Sequence, residues 1–250
     1  MAEITGSIKY MTKDYVAYQQ KYRNEPRESD KFLIRLIREH VPMPAGKSLL
    51  DIGCHNGNLL FQIRKEIPGL ILRGGDLFSE VVELCKADSD LRDIAFDVMD
   101  ILDLHCPPVD IVVVNAVLSR FDRRQHQRAW RNIARALKPG GLAFAFEWYH
   151  AFNQTLQIVE ETPEHPDGLI MNIRSQDHVA TTLKEIGFTS VVFYPFHIGI
   201  DLPLVDATSA HFTYTKTLSD GERMLFRGSF YQPWCHLVAR KKISDRSVGE

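Results

Sequence analysis

From Ser48 onward, short apolar runs alternate with stretches in which apolar residues recur at helical spacing. The runs are 49–52, 71–74, 111–115, 142–147, 191–196 and 237–240, and the helix-patterned stretches between them are 59–65, 80–87, 124–137 and 177–186. Strands buried on both faces have no polar side to show, so continuous apolar runs separated by helix-length segments point to parallel βαβ units. The pattern predicts an α/β fold on a doubly wound, mostly parallel sheet. Glycine just past two of the helices, in Leu137-Lys138-Pro139-Gly140-Gly141 and Ile186-Gly187, marks where they stop. Upstream, residues 14–41 read as helix, with Phe32, Leu33, Leu36 and Ile37 on one face behind a Ser29-Asp30 start signal. Residues 1–47 are therefore expected to form an N-terminal helical segment, and residues 48–250 the α/β domain.

Two stretches, 148–175 and 199–233, break the alternation. Each follows a strand near the carboxyl edge, where open α/β sheets bind ligands. They are expected to be insertions after strands 5 and 6 that together form a substrate lid. In the second, period-two segments flank Ser219-Asp220-Gly221, the pattern of an antiparallel hairpin.

Composition narrows the partners. A formal charge of −2 over 250 residues supplies no global positive field, so nucleic acid is not the expected partner. Arginine-rich residues 120–131 and the basic run 240–242 read as a solvated helix face and a strand end. Cys54, Cys85, Cys106 and Cys235 lie far apart with no C-x-x-C pair, which suits a reducing cytoplasm better than a zinc site or a disulfide framework. No apolar run approaches the ~18 residues a membrane span needs, and the N-terminus lacks the apolar core of a signal peptide. A cytoplasmic monomer or homodimer is expected, with no membrane contact and no metal.

The chemistry concentrates in Leu49-Leu50-Asp51-Ile52-Gly53-Cys54-His55-Asn56-Gly57-Asn58-Leu59-Leu60. An apolar strand ends in an acid and two glycines, and an apolar helix follows, so a ligand can approach the backbone where side chains are missing. A dinucleotide loop would read G-x-G-x-x-G and cradle a pyrophosphate. Here the spacing is Gly53-x-x-x-Gly57, and Asp51 would repel phosphate while attracting an ammonium group.

This segment resembles the first motif of the class I S-adenosylmethionine-dependent methyltransferase superfamily, matched at Leu49, Leu50, Asp51, Ile52, Gly53 and Gly57, with His55 where the middle glycine is usual. The resemblance runs from about residue 15 to 196. It implies a seven-stranded sheet and S-adenosyl-L-methionine as cofactor, with Asp76 accepting the ribose hydroxyls and Leu77 beside it. Asp97 would take the adenine amino group, Asp100 and Asp103 competing for that role, while Val98 packs on the ring. Asn115 and Ala116 would flank the methionine part, and the N-terminal segment, with Tyr15, Tyr18, Tyr22 and Arg27, would close over the cofactor.

For the acceptor, the aromatic lid suggests a small organic molecule methylated on O or N, contacted by Trp148, Tyr149 and Arg174. His150, three residues past Glu147, is the candidate general base, ahead of His165, His197 and His211. A tRNA-modifying enzyme and a non-catalytic cofactor-binding regulator remain as alternatives.

Overall fold

The computed structural model describes residues 19, 21–162, 165–204 and 213–243. Its strands, in chain order, are β1 (Ser48–Ile52), β2 (Ile71–Asp76), β3 (Ala95–Val98), β4 (Val109–Asn115), β5 (Leu137–His150), β6 (Leu156–Thr162), β7 (His165–Ser175), β8 (Phe188–Pro195), β9 (Thr213–Thr217), β10 (Arg223–Arg227), β11 (Phe230–Tyr231) and β12 (Trp234–Lys241). The central sheet runs in the order β3-β2-β1-β4-β5-β12-β8, parallel throughout except for β12, which is antiparallel to both neighbours. Helices α1 (Glu28–His40), α2 (Asn58–Glu66) and α3 (Ser79–Ala87) cover one face, and α4 (Arg123–Ala136) and α5 (Gln176–Ile186) cover the other. The order reverses at β1, with β2 and β3 to one side and β4 and β5 to the other, which opens a crevice beyond the carboxyl ends of β1 and β4.

Local chemistry explains the elements. Asp122 caps α4 by accepting the Gln125 N–H at 2.7 Å, while the Gln125 side chain accepts the Asp122 N–H at 3.1 Å. Behind that cap, His126, Ala129, Trp130, Ile133 and Ala136 face the sheet at helical spacing. The short third strand shows no apolar run in the sequence because it is a sheet edge: Phe96 is buried, but Val98 is 56% exposed.

The N-terminal helix expected over 14–41 is interrupted within the described residues. Among the described residues Glu28–His40 is helix and Lys21–Arg23 a 3₁₀ turn, and Pro26, which lacks an N–H and disfavours α geometry in the residue before it, separates the two. Asp30 does not start the helix. It lies three residues past the Arg27 cap and is buried. Tyr15 and Tyr18 lie outside the described residues.

Both stretches outside the alternation contain strands. In the first, β6 and β7 form an antiparallel hairpin whose β7 end runs parallel to the end of β5 through Tyr149↔Arg174 and His150↔Ser175. The sequence hides this hairpin because both its faces are apolar: Ile158 and Met171 point inward, yet Val159 and Ile170 on the opposite face are also hydrophobic. In the second, β9, β10 and β11 make a separate three-stranded sheet. Arg227 donates Nε and Nη2 hydrogens to the two carboxylate oxygens of Glu160 at 2.6 and 2.5 Å, tying β10 to β6. A small core of Trp148, Met171 and Ile173, with Ile158, Phe230 and Trp234 against it, joins the same parts. His211 lies outside the described residues. Among those described, no helix is long and apolar enough to cross a membrane.

Candidate cofactor and acceptor site

The loop after β1 is built on left-handed residues. Gly53, His55 and Gly57 have φ of 78°, 44° and 71°. A Cβ at Gly53 would stand 2.5 Å from Val117 Cγ2, and one at Gly57 would stand 2.6 Å from Leu91 Cδ1, so both positions exclude a side chain as well as favouring glycine's backbone freedom. His55 adopts the glycine-like conformation, at a cost of ~1 kcal/mol or more for a residue with a Cβ. Its backbone is pinned at both ends: Asp76 Oδ2 accepts its N–H at 2.9 Å, and its carbonyl accepts the Cys85 thiol at 3.0 Å. Asp76, the last residue of β2, also accepts the Phe78 N–H at 3.2 Å, while Leu77 between them is 38% exposed. The second non-glycine residue in left-handed geometry is Ala116 (φ 58°), just past β4, so both strained residues flank the same crevice.

Side chains alternate between faces along a strand, so register places Asp51 beside Val113 of β4, and Asn115 beside Phe146 of β5, all on the face covered by α1. Asp51 is 2% exposed, and its Oδ1 is buried without a hydrogen-bond partner. Burial first, then the charges of Asp30 and Asp76, push its carboxyl up to about 8. Asp30 of α1 completes this group: its Oδ1 accepts from Asn115 Nδ2 at 3.4 Å, and its Oδ2 lies 4.0 Å from the Arg27 guanidinium. Burial raises the Asp30 carboxyl as well, against the lowering effect of Arg27 and the Asn115 amide.

The N-terminal segment is laced to α2. Asn58 Nδ2 donates to the Gln19 carbonyl at 2.6 Å, Gln62 Nε2 donates to the Arg23 carbonyl at 2.5 Å, and Arg23 bonds the Asn56 carbonyl at 3.2 Å and Asp88 at 2.8 Å. Arg27 bonds the Gln19 side chain and stacks over the Tyr22 ring at 4.0 Å, which puts Arg27 beside Asp30 and Tyr22 against Arg27.

Asp97 departs from the expectation. Its carboxylate is held by Arg73 at 2.8 Å, and alternation along β3 puts it on the face opposite Asp76; Val98 shares the face of Asp76. Asp100 sits in the next turn, which the Met99 N–H ties to the Asp76 carbonyl at 2.8 Å.

The acceptor-side expectations are redistributed more strongly. Arg174 is 7% exposed and donates to the carbonyls of Leu118, at 3.1 Å, and Phe121, while Asn172 bonds the Ser119 and Phe121 carbonyls at 2.9 and 3.1 Å. Glu147 accepts the backbone N–H groups of Val117, Leu118 and Ser119 at 2.7, 2.6 and 3.0 Å. Burial raises the Glu147 carboxyl, partly offset by these three bonds and by Arg174. Arg174 and Glu147 thus hold the loop after β4 in place, with both terminal nitrogens of Arg174 bonded to backbone carbonyls. Trp148 packs into the small core under the hairpin, and Tyr149 packs into the main core against Phe193. His150 lies four residues past Phe146, ~13 Å along an extended strand, and its Nε2 meets the Gln154 carbonyl at 2.8 Å. His165 is buried in the hairpin, and His197 pairs with Glu222 at 2.8 Å.

A residue that the sequence did not single out lies across β5 from Asn115. His236 of β12 pairs with Phe146 and is stacked between the rings of Phe146, at 4.2 Å, and Phe32, at 4.9 Å. It is 1% exposed, and neither ring nitrogen has a hydrogen-bond partner. Asp30 and Glu147 likewise give weak signals in the sequence: both are acids within apolar patterns, a placement that helix caps and strand ends also produce.

The arrangement fits S-adenosylmethionine: a buried acid with a vacant acceptor, a second acid fixed at the end of β2, and a loop that excludes Cβ atoms beside a helix N-terminus. A family model described as a methyltransferase domain matches residues 50–143. The tRNA N(3)-methylcytidine methyltransferase of Schizosaccharomyces pombe is 25% identical over 205 residues, 68% of this chain and 82% of that protein. The 27-O-demethylrifamycin SV methyltransferase of Amycolatopsis mediterranei is 32% identical over 106 residues, 40% of this chain and 38% of that protein. A solved S-adenosylmethionine-dependent methyltransferase from Methanosarcina mazei superposes with a TM-score of 0.59 at 16% identity, over 84% of this chain and 98% of that one. Motif, topology and these likenesses agree: residues 50–143 match a methyltransferase domain, carried on the fold of S-adenosylmethionine-dependent methyltransferases.

Proposed function

We propose that the protein methylates an O or N atom of a small organic acceptor. S-adenosylmethionine supplies a methyl group already activated on a sulfonium, so the chain's work is alignment and exclusion of water. Asp51 and Asn115 would hold the methionine end, Asp76 the ribose, and Asp100, on the turn tied to Asp76, the adenine edge. The acceptor would lie over Ala116 and the loop after β4, against Phe146 and His236. The observation that carries this reading is the cover: the Glu160–Arg227 pair and the Trp148 core join both insertions into one body beyond β5, a build suited to enclosing a small molecule. Its test is incubation with radiolabelled S-adenosylmethionine and either a metabolite extract or total RNA, followed by fractionation. Label in a small organic product supports the proposal, and label confined to RNA overturns it.

A second reading, methylation of RNA, has one observation in its favour. Arg123, Arg124, Arg128, Arg131 and Arg135 are exposed along α4, which contains no acid, and a relative is a tRNA methyltransferase. The RNA arm of the same experiment decides it.

A further inference from the structure

Asp30 stands outside the superfamily motifs, yet it is the residue that changes the chemistry of the site. It is 3% exposed, on the helix that covers this face of the sheet, and its Oδ1 accepts from Asn115 at the end of β4, two residues past Val113, the β4 neighbour of Asp51, so both acids stand on the same face. Asp51 Oδ1, wholly buried, has no donor. A primary ammonium carries three hydrogens, and the carboxylates of Asp30 and Asp51 with the Asn115 side-chain oxygen offer three acceptors. Hydroxyl or amide donors would satisfy one oxygen but would not neutralise two buried negative charges; a cation does both.

We propose that Asp30 and Asp51 form a paired-acid seat for the primary ammonium of S-adenosylmethionine, and that the pair gives up a shared proton to solvent when that cation arrives. The inference rests on the assignment of Asp51 to the cofactor site. Two desolvated carboxyls in one pocket cannot both ionise cheaply, so the pair holds one proton until a positive group replaces it. The surrounding charges support this. From α1 itself comes Arg27, at 4.0 Å from Asp30 and shared with Gln19 and the Tyr22 ring. From β2 comes Asp76, which adds to the negative field on Asp51. From the loop comes Cys54, whose thiol is pushed upward by its hydrogen bond with Cys85, by burial and by the charges of Asp51 and Asp76. Asn115, from β4, is uncharged. Arg27 reaches Asp30, at 4.0 Å, but is not among the groups acting on Asp51, whose carboxyl burial and the two neighbouring acids push up. The cation that balances the pocket is thus brought by the ligand.

The test is calorimetry with two stable probes on the full chain. S-adenosylhomocysteine carries the ammonium; 5′-methylthioadenosine keeps the nucleoside and thioether but lacks the amino acid. Titrations in buffers of different ionisation enthalpy count the protons released. For the wild type, S-adenosylhomocysteine affinity should rise by up to roughly tenfold per pH unit below about pH 8 and level off above it, with about one proton released below that point. Asp30→Asn, nearly isosteric, should shift the levelling-off point to lower pH, reduce the proton release measured at neutral pH without abolishing it, because burial still raises Asp51, and weaken binding by roughly tenfold or more above about pH 8. 5′-Methylthioadenosine should show neither the slope nor the sensitivity to Asp30→Asn. A role for Asp30 in packing alone would weaken both probes equally at every pH, and that outcome, or an unchanged levelling-off point and proton count in Asp30→Asn, overturns the proposal while leaving the cofactor site intact. Wild-type protein that binds neither probe would overturn the site assignment and the proposal with it.

Discussion

Asp76 Oδ2 accepts the backbone N–H of His55 at 2.9 Å, so the acid at the end of β2 holds the one non-glycine residue of the first loop in left-handed geometry. The same carboxylate that would receive the ribose is therefore part of the loop's scaffold. In a loop with glycine at this position, no such clamp would be needed to hold positive φ. Here the strain at His55 and the anchor at Asp76 come as a pair.

Replacing Asp76 should accordingly have two effects. Asp76→Ala removes two charge-assisted acceptors from the His55 and Phe78 N–H groups and is expected to lower apo stability by about 1–3 kcal/mol, besides weakening S-adenosylhomocysteine by about 2–3 kcal/mol. Thermal unfolding and calorimetry on one preparation check both. An unchanged apo midpoint would show that the loop holds its shape without the clamp.

Strain and sterics separate at His55 and Gly57. His55→Gly relieves the positive φ and should change stability by less than about 1 kcal/mol, retaining cofactor binding. Gly57→Ala adds a Cβ at φ 71° and 2.6 Å from Leu91 Cδ1, and should cost about 1–3 kcal/mol. Chemical denaturation of the two variants against wild type reads the difference.

Glu147→Gln keeps the shape of a side chain that accepts three backbone N–H groups but leaves it one oxygen. An expected loss of about 2–4 kcal/mol follows, with Arg174 left beside a neutral partner. Denaturant midpoints test the size. A double-mutant cycle with Arg174→Met should show coupling, because both side chains brace residues 117–121.

The Asp51 carboxyl gives a pH dependence of defined sign. Its folded value of about 8 lies above the ordinary value of about 4, so between these the folded state binds the proton more tightly and the stability from this group falls as pH rises, becoming flat above about 8. Asp51→Asn removes the titration. The melting temperature of that variant minus that of the wild type should therefore grow from about pH 4 to about pH 8, and differential scanning fluorimetry across that range should show it.

Glu160→Gln weakens the bidentate link between the two insertions, in which the side chains are 12% and 19% exposed. Amide exchange should then speed up together in 156–162 and 223–227, while the central sheet keeps its protection. Faster exchange in only one of the two segments would mean that the Trp148 core alone joins them.

Much of the fold is legible in the chain because its signals are local. A buried parallel strand must be apolar along its whole length, and a loop that admits a ligand to the backbone must lack Cβ atoms, so residues 49–57 announce both the first strand and the loop. Asp76 is recognisable for the same reason, since an acid ending an apolar run has a position that sequence alone defines. Other assignments depend on which face a strand presents and what crosses it. Nothing in residues 95–98 tells that Asp97 turns to Arg73 on the far side of the sheet from Asp76; that follows from the register of β3 on β2. Arg174 reads as an anion-binding side chain until the hairpin folds it under the carbonyls of Leu118 and Phe121. Asp30 reads as a helix-start residue until α1 lays it against Asn115 and toward Asp51, residues 85 positions and 21 positions away in the chain. Electrostatic coupling depends on distance and burial, and both are set by tertiary packing, so the residues that decide charge in this site became visible only when the helix met the sheet.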